Sequence, residues 1–257
     1  MEQTIKQRNK NRLGEVNYNT NGSRMQIIKY NNSLDVVVKF EDGYITTCQY
    51  DAFKKGILKN PYDKTINGVG YLAEGIYESY DNGMVTKAYQ VWCNMMTRCY
   101  NEKYQEKFPT YKGCTVCTEW HNYQVFAKWF YKNYYEIDVE QMDLEKDVIH
   151  KNNKIYSPET CIFAPHSINL LFIKRNAMRG NLPIGVFLQG SGKYLASCSI
   201  LHRKIKRIGL FDTSEEAFAA YKKFKEQLIK DVADEFKDKI PKKLYNAMYT
   251  YEVEITD

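Results

Sequence analysis

The residues best placed to do chemistry are basic, and they are concentrated in one stretch. From Thr160 to Phe211 the chain has no Asp or Glu, yet carries Lys174, Arg175, Arg179, Lys193, Arg203, Lys204, Lys206 and Arg207, with His166 and His202. Eight cations without one intervening acid suit a polyanion, and nucleic acid is the commonest polyanion that a protein surface meets. Phe187, Gln189, Tyr194, Ser197 and Ser199 are interleaved with those cations. Side chains of these types reach base edges or phosphates. The following segment reverses the charge: Asp212 to Asp238 holds eight acids against five Lys.

A second constellation is Cys114-x-x-Cys117. A zinc site built on it would have to recruit Cys99, His121 or Cys161, because no second Cys-x-x-Cys or His pair exists at ligand spacing. Buried free thiols are the expectation, and seven scattered Cys do not make a disulfide framework.

The elements that position these residues can be read from periodicity. Three short strands fit Ile184–Gln189, Tyr194–Ile200 and Lys204–Leu210, with turns at Gly190-Ser191-Gly192 and near Leu201-His202-Arg203. Thr213-Ser214-Glu215-Glu216 is a capping box, and Ala217, Tyr221, Phe224, Leu228 and Val232 follow at helical spacing. The prediction is a basic three-stranded sheet backed by one acidic helix, with fragment 179–240 folding alone. Upstream, Ala88, Val91, Trp92, Met95, Met96 and Cys99 predict one core helix. Tyr123, Phe126, Trp129, Phe130 and Asn133 predict another. Met25–Tyr30, Val36–Phe40 and Tyr44–Tyr50 predict a small barrel-like module with a hairpin at Asp42-Gly43. Tyr249, Tyr251, Val253 and Ile255 alternate as in a terminal strand.

The expected organisation is α+β and multi-domain. It comprises a polar tail over 1–11, a β module over 12–62, a mixed segment over 63–178, the sheet-plus-helix module over 179–238 and an extension over 239–257. The 257 residues suffice for two or three cores, and 44% hydrophobic content fills them. No apolar run reaches membrane-span length and Met1–Arg12 has no apolar signal core, so a cytoplasmic protein without membrane contact is expected.

Two resemblances sharpen this reading. Gly185-Val186, Gly192-Lys193-Tyr194-Leu195-Ala196, Ile208-Gly209-Leu210-Phe211-Asp212-Thr213, Glu216-Ala217 and Ala220-Tyr221 resemble the AP-two/ethylene-response-factor DNA-binding domain, over about a fifth of the chain. The resemblance implies a sheet lying in the major groove. Phe187, Gln189, Lys193, Tyr194, Ser197, Ser199, Arg203, Lys204, Lys206 and Arg207 then stand at the contacting positions, and Lys174, Arg175 and Arg179 extend the basic surface.

The segment with Trp92, Met95, Arg98–Asn101, Tyr111-Lys112, Val116-Cys117, Glu119-Trp120, Phe126, Trp129, Tyr156–Cys161 and Asn169 resembles phage HNH-type endonucleases. That family implies one divalent metal, such as Mg²⁺, and a His base. By this resemblance Asp147, His150, His166 and Asn169 are the catalytic candidates, with Asp147 and Asn169 as metal ligands. Lys146 stands where a His is usual beside Asp147, and Thr160 stands where an Asn is usual. These departures point to a degenerate site that binds DNA without cutting it. The expected partner is DNA. An active HNH nuclease, and a phage counter-defence protein acting on a host nuclease, a CRISPR effector or another defence nucleoprotein, are the alternatives.

Overall fold

A computed structural model describes residues 12–173, 181–200 and 204–255. The expected tail, together with Lys174, Arg175, Arg179 and Arg203, lies outside the described residues. The fold is α+β with several small antiparallel sheets. The chain divides into two compact units, 1–131 and 132–257, a boundary inside the segment 63–178. Among the described residues, no helix is long and apolar enough to cross a membrane.

The first unit begins with an antiparallel meander of β1 (Val16–Tyr18), β2 (Arg24–Asn32), β3 (Asp35–Phe40) and β4 (Ile45–Cys48). Strand alternation puts Met25, Ile27, Val36, Val38 and Phe40 on one face, where Phe53 of α1 (Tyr50–Lys55) closes the core. Asp42 Oδ1 accepts the Tyr44 N–H at 2.9 Å and Gly43 takes φ +100°, so the expected hairpin forms there. The expected barrel does not. The sheet is open, with β1 and β4 as edges, because four strands are too few to close and a helix covers the apolar face instead.

A two-residue hairpin, β5 (Tyr80–Asp81) and β6 (Met84–Val85), precedes α2 (Lys87–Tyr100). Thr86 caps α2 by accepting the Tyr89 N–H. The helix buries Ala88, Trp92, Met95, Met96 and Cys99, as the spacing requires. After α3 (Glu102–Lys107), α4 (Tyr123–Asn133) buries Tyr123, Phe126, Ala127 and Phe130, whereas Trp129 of the expected stripe is half-buried and Asn133 is exposed. The Trp92 indole donates to the Trp120 carbonyl at 2.7 Å, so this aromatic stripe serves the core.

In the second unit, β7 (Met142–Glu145) pairs antiparallel with β8 (Ile162–Pro165), which runs directly into α5 (His166–Asn169). The C-terminal sheet follows as β9 (Val186–Leu188), β10 (Tyr194–Ser199) and β11 (Ile205–Phe211), in that order and antiparallel. Then comes α6 (Ser214–Glu235), whose capping box between Thr213 and Glu216 forms as its sequence dictates.

The long helix α6 belongs to two cores. Its first half joins Ala217 and Tyr221 to Val186, Ala196 and Cys198 of the sheet. Its second half joins Ile229, Val232 and Ala233 to Ile162 and Ala164 of β8, Ile168 of α5 and Leu171 just after it. Helix α7 (Lys242–Tyr249) adds Leu244 and Met248 to that second cluster.

The expected terminal strand is absent: Tyr249 ends α7, and residues 250–255 are irregular. The Val253 backbone is satisfied by side chains of α6 rather than by a neighbouring strand. Val253 N–H donates to Glu226 Oε1 at 2.8 Å, and Lys222 Nζ donates to the Val253 carbonyl at 2.8 Å.

Candidate functional site

The C-terminal sheet has one face against α6 and one face open. Register assigns the residues. Val186 stands opposite Ala196, and Ala196 opposite Gly209, on the helix side. Phe187, Leu195 and Leu210 are in register with one another on the other face. Ser197 opposite Arg207, and Ser199 opposite Ile205, continue that outer face.

The register shifts between Ala196 and Ser197, so β11 carries one extra residue, Ile208, which packs toward the helix. This bulge matters. Residues 207 and 210 are an odd number apart and would face opposite ways in a regular strand. With the bulge, Arg207 and Leu210 share the outer face.

Of the sequence-derived contact residues, Phe187, Ser197, Ser199 and Arg207 stand on this outer face. Tyr194 packs on the helix-side cluster. Lys206 is opposite the buried Cys198, and so leaves the sheet on the helix side with its head exposed. Gln189 lies at the turn, where its N–H donates to the Lys193 carbonyl. Lys193 pairs with Asp212 at 3.0 Å, and Lys204 is exposed at the start of β11.

The second cluster lies where β7 meets α5. Asp143 Oδ2 accepts from Asn169 Nδ2 at 2.8 Å and lies 2.7 Å from His166 Nδ1, while Asp143 Oδ1 accepts from Gln141 Nε2 at 2.9 Å. Ala164, directly before the turn into α5, is the register partner of Asp143, and this brings the three side chains together. Burial alone would raise the Asp143 carboxyl. Hydrogen bonds from Asn169, His166 and Gln141 outweigh burial and hold it below its ordinary range. An ionised Asp143 can only accept, so His166 Nδ1 is the donor and the lone pair of the neutral ring is on Nε2. Two residues along β7, burial pushes the Glu145 carboxyl up, although it accepts the N–H groups of Asp147 and Lys146.

The structure places the other catalytic candidates elsewhere. Asp147 is held by Lys146 Nζ at 2.7 and 2.8 Å, and the same buried ammonium donates to the Asn153 carbonyl. The carboxylate that His166 and Asn169 share is therefore that of Asp143. His150 is exposed on the loop after Asp147, and its carbonyl accepts the Asn153 N–H. Thr160 Oγ1 donates to the Ile155 carbonyl at 2.7 Å and so braces its own loop.

No family model, no curated protein and no solved structure matches this chain. The site must be judged by its own geometry.

Sequence reasoning missed Asp143 and Gln141, and the outward pair Leu195 and Leu210. Nothing in spacing singles out Asp143, which is 23 residues from His166 and 26 from Asn169. At the thiols, Cys114 is buried, Cys117 is half-buried, and none of the seven Cys forms a disulfide. His121 Nε2 is 3.2 Å from the Tyr100 hydroxyl, which also accepts the Val116 N–H. Among the described residues, no three His, Cys, Asp or Glu side chains are grouped to hold a metal.

Proposed function

We propose that the chain binds duplex DNA through the outer face of β9–β11, with a modest sequence preference. The supporting observation is Arg207 on the open face opposite Ser197, in a stretch from Thr160 to Phe211 without a single acid. An exposed guanidinium on a groove-sized sheet can take guanine O6 and N7 bidentately, and neighbouring Lys can neutralise phosphates. The test is a salt titration of affinity with the full chain on several duplexes. A log–log slope of roughly −4 to −5 is expected, from four to six phosphates neutralised. Arg207→Ala should relax discrimination at one base pair by ~1–3 kcal/mol, whereas Lys204→Ala should weaken all sequences alike. A slope near zero would overturn the reading and favour a protein partner, as a counter-defence role would have.

A second reading, hydrolytic cleavage of the bound DNA, is favoured by the Asp143–His166–Asn169 cluster. One carboxylate and one amide carbonyl are oxygen donors that suit a hydrated Mg²⁺, and Asp143 and Asn169 would hold it. The metal would stabilise the leaving oxygen, and His166 Nε2 could accept a proton from water. The departures at Lys146 and Thr160 favour binding without cleavage. Supercoiled plasmid incubated with Mg²⁺, Mn²⁺ or EDTA separates the two: no nicking is expected. Metal-dependent nicking that disappears in Asp143→Ala would establish cleavage.

A further inference from the structure

The outer face of the C-terminal sheet is not simply basic. Phe187, Leu195 and Leu210 form one apolar row across all three strands. Phe187 is 42% and Leu210 58% exposed, and none of the three joins the helix-side core. One residue pair further along is Ser197–Arg207, and beyond it Ser199–Ile205, with Ile205 72% exposed. Arg207 thus has an apolar neighbour on each side along the outer face of β11. The bulge at Ile208 creates this order, because without it Leu210 would turn toward α6.

Exposed apolar rows usually mark a contact surface. This row has a size. Three strands at about 4.8 Å spacing span roughly 10 Å, which fits a major groove about 12 Å wide. A stable protein interface needs about 800 Å² on each partner, much more than three side chains provide. The surroundings are cationic, with exposed Arg207 beside the row and exposed Lys204 at the start of β11. Asp212, the acid that follows β11 in the chain, is already paired with Lys193.

Resting on the DNA-binding reading above, we infer that this row and Ile205 read C5-methyl groups of thymine in the major groove, one on each side of the base pair met by Arg207. The thymine methyl is the one apolar group that unmodified DNA displays there, and Phe and Leu can pack on it without losing a hydrogen bond. Arg207 then supplies the polar readout between two methyl-sensing positions.

The experiment uses the full chain and a random-sequence duplex pool, made once with thymine and once with deoxyuridine in its place. The two pools offer the same base pairing and phosphates and differ by the methyl. Affinity should fall by about four-fold for each thymine methyl that the row packs against in the first pool and misses in the second. In Leu210→Asn and Phe187→Asn, both at exposed positions, the difference between the two pools should shrink. Equal binding of both pools by the parent would overturn the inference and leave DNA binding standing. A thymine preference that persists unchanged in both variants would also overturn it, since the methyls would be read elsewhere. If neither pool binds, the DNA-binding reading fails and this one fails with it.

Discussion

His166 Nδ1 lies 2.7 Å from Asp143 Oδ2, the same oxygen that accepts the Asn169 amide. One carboxylate therefore ties the end of β7 to both ends of α5. Because its folded pKa is depressed, this carboxylate contributes stability that is full above the unfolded Asp value of ~3.9. That stability is lost as pH falls through the lower folded value. Asp143→Asn should cost ~1–3 kcal/mol at pH 7, and the two proteins should converge on acidification. Thermal melts across pH check this. A parallel offset at every pH would show that the carboxylate charge is not involved.

Gly185 and Tyr221 set how closely the sheet meets α6. Gly185 has φ +76°, and a Cβ there would lie 2.1 Å from the Tyr221 ring. Gly185→Ala combines a left-handed backbone with overpacking and should cost roughly 2–3 kcal/mol in urea unfolding. A cost below the scatter of surface mutants would show that sheet and helix are not packed this closely.

Lys225 of α6 is only 7% exposed. Burial lowers its pKa, and the nearby Cys198 offsets that only in part, since burial raises the Cys198 thiol and keeps it neutral. A Lys depressed in the folded state makes stability rise with pH between its folded and unfolded values, the latter ~10.4. Lys225→Met should stabilise by ~0.5–2 kcal/mol at pH 7, with the gain shrinking toward pH 10. Calorimetry at both pH values decides; destabilisation at pH 7 would show that the ammonium is adequately solvated.

The sequence suggests that fragment 179–240 folds alone, but Ile229, Val232 and Ala233 of α6 are buried with Ile162, Ala164 and Ile168. Cutting at 179 would expose that half of the helix. Fragment 132–257 should unfold cooperatively, and fragment 179–240 should show no sharp transition. Circular-dichroism melts of both test this, and a cooperative 179–240 would mean that the two cores are energetically separate.

Much was legible in the sequence. Local chemistry dictated the Thr213–Glu216 capping box, the Asp42-Gly43 turn, the strands around Met25–Tyr30 and Val36–Phe40, and most of the core stripe of α2, because those signals act over a few residues. The acid-free basic stretch needs no structure at all. Tertiary structure decided the rest. The pairing of Ala164 with Asp143 made Asp143, rather than Asp147, the carboxylate beside Asn169, and Lys146 took Asp147 for itself. A terminal segment with strand-like alternation found its partners in α6 side chains instead. One extra residue in β11 put Leu210 and Arg207 on the same face. Alternation read from sequence assumes an unbroken period of two, and a bulge breaks it at a point set only by which strands pair and in what register.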